Sequence, residues 1–207
     1  MRDSESFRND VAGYFLCFKT TQNYEKKKTT VYKERKIEVR AEFIQKLTSI
    51  PVENRIYLDE SGINQYLHRQ HARSLRGIQV LGEVSGKRFG RQSVISALKD
   101  KKFLAPMCFE GTCDTDLFKI WLKQELLPNL NPGQVLILDN ASFHKSIEIR
   151  KLVESYGCEI LYLPPYSPDL NPIEKYWANM KAKIREILPT VATLSAAIDL
   201  VVLSMST

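Results

Sequence analysis

Residues 135–181 read VLILDNASFHKSIEIRKLVESYGCEILYLPPYSPDLNPIEKYWANMK, and the punctuation of this stretch decides the fold. Val135-Leu136-Ile137-Leu138 is a short apolar run of the kind buried on both faces of a sheet, stopped by Asp139. Ser146 to Tyr156 reads as a helix closed by Gly157, and Glu159 to Leu163 as a further strand. Pro164, Pro165 and Pro168 then make a stiff crossing to a second helix. Asn171 and Pro172 suit its N-cap and first helical position, which puts Glu174 one turn in. Along it Ile173, Trp177, Met180, Ile184 and Leu188 recur at helical spacing as a buried stripe, while Glu174, Lys181 and Arg185 share an adjacent face.

Upstream, Arg55-Ile56-Tyr57-Leu58 is another apolar run broken by an acid, Asp59. A strand near 55–60 is followed by strands near 91–98 and 103–110. Asp114 opens a helix bearing Leu117, Phe118, Trp121, Leu122 and Leu126, ended by Pro128. A charged helix over 34–46 should bury Ile37, Ala41, Ile44 and Leu47, and Thr193 to Ser204 forms a last apolar helix. Strands in series, then alternating with helices, predict an α/β fold: a mixed five-stranded sheet flanked by helices.

In open sheets of this class ligands bind beyond the carboxyl ends of the strands, so Asp59 and Asp139 converge if their strands are neighbours. With Glu174 they form an oxygen-only donor set suited to a hard divalent cation. Each acid also has an ordinary reading: Asp59 as a turn residue before Ser61-Gly62, Asp139 as a loop opening, Glu174 as the capping-box partner of Asn171. Two neighbouring acids are set aside, Asp169 because it lies in a loop and Glu60 because strand alternation turns it to the opposite face.

The strings LDES, LDNASFHKS and LPPYSPDLNPIEKYWANMK resemble the catalytic signatures of bacterial insertion-sequence transposases of the mariner superfamily. The step from Asp139 to Glu174 leaves 34 residues between them, as in that branch. The resemblance covers roughly residues 29 to 203. It implies a ribonuclease H-like fold with an Asp-Asp-Glu triad, here Asp59, Asp139 and Glu174, holding two Mg²⁺ ions for which Mn²⁺ substitutes. It further implies endonuclease cutting at transposon ends, strand transfer into target DNA at TA, and a homodimer on DNA in a bacterial cytoplasm, at the nucleoid. His144, Lys145, Lys181 and Arg185 are the expected DNA contacts. The corresponding division is a basic segment, linker and helix over 1–50, the catalytic domain over 51–190, and a C-terminal helix over 191–207. Family members carry a helix-turn-helix region ahead of the catalytic domain, and residues 1–28 do not resemble it. The expectations are therefore a separate helix-turn-helix polypeptide, as in a split transposase, or a catalytically unproductive DNA-binding remnant.

Composition accords with this reading. The chain has 207 residues, 43% of them hydrophobic, which suffices for one domain with its own core. Thirty basic against 24 acidic residues leave a net charge of +6, which suits a polyanionic partner. Lys26-Lys27-Lys28 is a further phosphate-contact candidate. The apolar run 11–18 is far short of the ~20 residues of a membrane span, so no membrane is expected. Cys108 and Cys113 with His68 and His71 form a zinc site only on paper, because no second tight Cys pair accompanies them. Cys17 and Cys158 fit thiols that pack in a reducing compartment. A nucleophilic triad of Ser142, His144 and Asp139 lacks the nucleophile elbow it would need.

Overall fold

The computed structural model describes residues 32–34, 36–64, 79, 81 and 90–207. Within them the elements are α1 (Ile37–Ser49), β1 (Arg55–Asn64), β2 (Arg91–Lys99), β3 (Lys102–Glu110), α2 (Thr115–Trp121), β4 (Val135–Leu138), α3 (Ile147–Ser155), β5 (Glu159–Tyr162), α4 (Ile173–Ile187) and α5 (Leu194–Ser206). The strands form one sheet in the order β3-β2-β1-β4-β5, in which β1, β4 and β5 pair in parallel, β2 pairs antiparallel to β1, and β3 pairs antiparallel to β2. Cys17, Lys26-Lys27-Lys28, His68 and His71 lie outside the described residues.

Apolar residues on alternate sides of the strands seed a layer of helices on each face. Ile56, Leu58, Leu136 and Leu138 point to one side, where they pack with Phe118, Trp121 and Leu122 beside α2 and with Ile149 and Val153 of α3. Ile63, Val94 and Leu98 face the other side, against Ile173, Trp177, Met180 and Ile184 of α4 and Ile198, Val201 and Val202 of α5. All four β4 residues are buried, as a strand covered on both faces requires. Pro106 sits in β3, an edge strand, where its missing N–H breaks no central ladder. Ala105, in the left-handed region at φ 50°, presents its carbonyl to the Trp121 indole N–H at 2.7 Å. The chain after α2 continues through a π-turn (Leu122–Leu126) and a 3₁₀ turn before β4.

Three local expectations change. β1 does not stop at Asp59 but runs on to Asn64, because β2 pairs with it without a break from Tyr57↔Leu98 to Asn64↔Arg91. Asp59 is therefore mid-strand and Ser61-Gly62 is not a turn; Gly62 lies under the Arg91 guanidinium, which any Cβ would strike. The buried side of α1 is rotated from the expected one: Ile37 and Ile44 are exposed, and Phe43 is buried against Val135, Ile137 and Leu163, with Leu47 partly buried there. A bidentate pair from Arg40 to Asp169, at 3.0 and 2.8 Å, anchors the same face of that helix. Asn171 is extended and its carbonyl accepts from Glu174 N–H, but its side chain does not cap α4, so no capping box forms.

Asp114 and Ser146 cap α2 and α3 through their side chains, as the sequence suggests. Gly157 ends α3 at φ +70°, and a Cβ there would come within 3.0 Å of Pro132 Cβ. Gly157→Ala is expected to cost about 1–2 kcal/mol of stability from the left-handed backbone alone. Urea unfolding of the two proteins side by side checks this, and an unchanged midpoint would count against the cap.

Candidate active site

Parallel pairing sets the first two acids side by side. Tyr57 stands opposite Ile137 on β1 and β4, so two residues further along each strand Asp59 and Asp139 arrive at the same level. Asp59 is held within β1, whereas Asp139 lies just past the end of β4 and is about half exposed. Glu174 comes from the first turn of α4 and is exposed on the same side. All three carboxylates line one cleft of about 500 Å³ whose other walls include Asn140, Ala141, Tyr166, Asn171 and the proline crossing Pro164–Pro168. A second cleft of about 470 Å³, between the β2–β3 turn and the ends of α4 and α5, contains none of the acids.

Hydrogen bonds brace this rim. Asn171 Nδ2 donates to Leu58 O at 3.2 Å, tying the start of α4 to β1 immediately before Asp59. Asn140 Nδ2 donates to Leu163 O at 2.8 Å, joining the chain after β4 to the proline crossing. Trp177 Nε1 donates to Asp59 Oδ2 at 3.0 Å, so a residue expected only in the buried stripe also touches the site. Asp169, the acid set aside in the loop, is bound by Arg40.

Burial pushes the Asp59 carboxyl up to about 7, and the charges of Glu174 and Asp139 push the same way against the bonds from Glu60 N–H and Trp177. Asp139 goes the other way: the His144 hydrogen bond holds it below the usual carboxylate range despite partial burial. Burial lowers the Lys181 ammonium, although Glu174 and Asp59 both attract it; Arg91 and Arg185 add their repulsion. Lys181 therefore stands within reach of Glu174 and Asp59 as the helical spacing suggests, with Arg185 beside Lys181 and Lys145 exposed beyond Asp139.

His144, an expected DNA contact, is buried. The residue is 4% exposed, and Phe118 and Phe143 pack tilted against its ring with centroids at 4.4 and 4.1 Å. Nδ1 meets Asp139 Oδ1 at 2.7 Å and Nε2 faces Glu60 Oε1 at 3.5 Å. Burial opposes a charge on this imidazole, but the two carboxylates outweigh it and raise its pKa. Glu60 is indeed on the opposite face from Asp59, yet through His144 it is linked to the cleft. Alternation in β1 gave its direction; the compact 3₁₀ turn Ser142–Lys145 that brings His144 back under Asp139 left no signal in the sequence.

No group of three or more His, Cys, Asp or Glu side chains among the described residues is arranged to enclose a metal ion with protein ligands alone. A hard cation such as Mg²⁺ keeps waters and takes a few carboxylates plus substrate phosphates. Oxygen donors on an open cleft, with charges that repel one another at Asp59, fit such an ion.

A family model described as DDE superfamily endonuclease matches residues 54–195, about two thirds of the chain. The chain belongs to the DDE endonuclease superfamily. Among curated proteins this DDE chain is 30% identical over 69 residues to the transposable element Tc1 transposase of Caenorhabditis elegans, covering 33% of the chain and 25% of that protein. It is 37% identical over 71 residues to the uncharacterized protein y4pE/y4sA of Sinorhizobium fredii, covering 33% of the chain and 50% of that relative. The matches thus span half or less of either relative. The fold is that of the Mos1 transposase: its strand transfer complex superposes with a TM-score of 0.61 at 17% identity, over 95% of this chain and 69% of that one. The Mos1 paired-end complex with left transposon end gives 0.60 at 17% identity, over 83% and 55%. This is the ribonuclease H-like fold. Among the described residues no helix is long and apolar enough to cross a membrane.

The raised carboxyl of Asp59 has a thermodynamic consequence. Above about pH 4 the unfolded chain has released this proton while the native state keeps it, so Asp59 costs stability as pH rises to about 7. In EDTA, Asp59→Asn is expected to be more stable than wild type at pH 8 by up to about 4 kcal/mol, with the difference vanishing near pH 4. Denaturant unfolding at both pH values measures it; no gain at pH 8 would mean that Asp59 ionises normally.

Proposed function

We propose that this chain is the catalytic part of a DNA transposase, one that cuts DNA at transposon ends and joins the freed 3′-hydroxyls to target DNA. The observation that supports it is the convergence of Asp59, Asp139 and Glu174 on one cleft, with the Lys181 ammonium in reach of Glu174 and Asp59. In this reading the three carboxylates hold two Mg²⁺ ions, or Mn²⁺ in their place; when bound, such ions stabilise charge on the attacking and leaving oxygens of a phosphoryl transfer. Structures of the Mos1 mariner paired-end complex exist with Mn and with Mg.

The chain's own groups have distinct parts. Trp177 N–H fixes one oxygen of Asp59, and the strand holds its backbone, so the carboxylate is oriented before substrate arrives. The Asn171 bond to β1 and the proline crossing set the angle at which Glu174 enters. Lys181, Arg185 and Lys145 would draw the DNA backbone to the cleft and offset phosphate charge that the carboxylates repel. In cutting, a water oxygen bonds to phosphorus and the bond from phosphorus to the 3′ oxygen breaks, leaving a 3′-hydroxyl and a 5′-phosphate. In joining, that hydroxyl oxygen attacks a target phosphorus and displaces the target's 3′ oxygen. One site can serve both steps because each exchanges one phosphorus–oxygen bond for another.

The resemblance to mariner-superfamily transposases supports the finer assignments of the same proposal. These are bacterial insertion-sequence DNA in the cytoplasm as substrate, TA as target, and two copies of the chain holding two ends. Residues 51–190 are the proposed catalytic domain, with 1–50 and 191–207 flanking it. Terminal-repeat recognition is assigned to a helix-turn-helix region on a longer or separate polypeptide.

Cleavage and strand transfer on the element's terminal DNA in Mg²⁺ test the proposal, with and without a helix-turn-helix partner polypeptide. Asp139→Asn and Glu174→Gln are each expected to lower both steps roughly 10³-fold or more, equivalent to several kcal/mol. Cutting without joining would indicate a plain nuclease. Wild-type protein as inactive as its variants under both conditions would indicate a DNA-binding remnant.

A further inference from the structure

Among the described residues, a line of three buried or half-buried titratable side chains runs from the acid cleft to the other face of the sheet. Asp139 stands at one end, His144 in the middle and Glu60 at the other, on the α2 and α3 face. His144 is restrained on every side. Phe118 and Phe143 pack tilted against the ring, His144 N–H donates to Ala141 O at 3.2 Å, and the Tyr162 hydroxyl donates to His144 O at 2.8 Å. Its Nε2 and Glu60 Oε1 face each other at 3.5 Å, and among the described residues neither atom has a hydrogen-bond partner.

We infer that His144 is a positioning residue: it pins Oδ1 of Asp139 so that Oδ2 is the oxygen presented to the cleft, and Glu60 anchors it from behind. Two donors meet on the same oxygen, His144 Nδ1 at 2.7 Å and Ala141 N–H at 3.0 Å. Asp139 lies beyond the end of β4, so its backbone lacks the strand pairing that holds Asp59, and its carboxylate is about half exposed. An exposed acid on a turn samples several rotamers, and a ligand group must give up that freedom on binding. A buried ring aimed at one oxygen removes it in advance. Groups that orient a ligating carboxylate from outside the ligand shell typically matter 10–100-fold in metal affinity.

This inference rests on the reading of Asp139 as a cation ligand, and the test separates the two. Mn²⁺ alone is titrated into the full chain and free Mn²⁺ is followed by electron paramagnetic resonance, for wild type, Asp139→Asn, His144→Leu, His144→Asn and His144→Gln. Asn places an N–H where Nδ1 stands, whereas Gln places one where Nε2 stands. His144→Leu and His144→Gln are expected to weaken Mn²⁺ binding about 10–100-fold, and His144→Asn to stay near wild type. Thermal melts of each variant report folding independently. If His144→Leu does not fold, the Asn and Gln pair carries the comparison. Equal affinities for Asn and Gln, or wild-type affinity in His144→Leu, would overturn the positioning role and leave a structural histidine. Wild-type affinity in Asp139→Asn would instead overturn the metal reading of the cleft.

Discussion

The parallel pairing of β1 with β4 is the constraint on which the site depends. With Tyr57 opposite Ile137, two carboxylates that are 80 positions apart in the chain reach one level at one edge of the cleft. A slip of one residue in either strand would turn one acid to the far face and also expose half of the core, since Ile56 and Leu58 pack on one side and Ile63 on the other. Core burial on both faces therefore enforces the register that the chemistry needs. The helices follow from the same arrangement, because α4 must lay its apolar stripe on the face that Asp59 shares.

Gathering like charges has a cost, and the protein distributes it unevenly. Asp59, enclosed and within reach of two other acids, resists ionisation. Asp139 ionises more readily than an ordinary aspartate, because a histidine donates to it from below. Carboxylates in one cleft thus have opposite tendencies, set by burial in one case and by a hydrogen bond in the other. Lys181, whose ammonium is itself partly buried, belongs to the same balance and links the cleft to the cationic flank formed with Arg185 and Arg91.

Much of the architecture was legible because periodicity reports burial directly. The β4 run, the stripe on α4 and the caps at Asp114 and Ser146 each express a local rule, and each appears in the structure. Failures arose where distant residues override local ones. Ser61-Gly62 has turn composition, yet β2 carries the strand through it. In α1, Ile37 and Ile44 look like a core face, but Arg40 and Phe43 are the residues with partners, Asp169 and the β4 side of the sheet. Asn171 has the chemistry of a cap, but the Leu58 carbonyl claims its side chain.

The sequence by itself determined the element types, the identity of the three acids and their spacing, since these depend on residue chemistry and on neighbours a few positions away. Only the tertiary structure decided that Asp59 is mid-strand, that Trp177 touches it, and that His144 turns inward to join Asp139 with Glu60. The physical reason is range. Hydrophobic periodicity and capping act within a few residues, whereas strand register and the closing of a buried hydrogen bond are settled by chain segments that meet only when the sheet is complete.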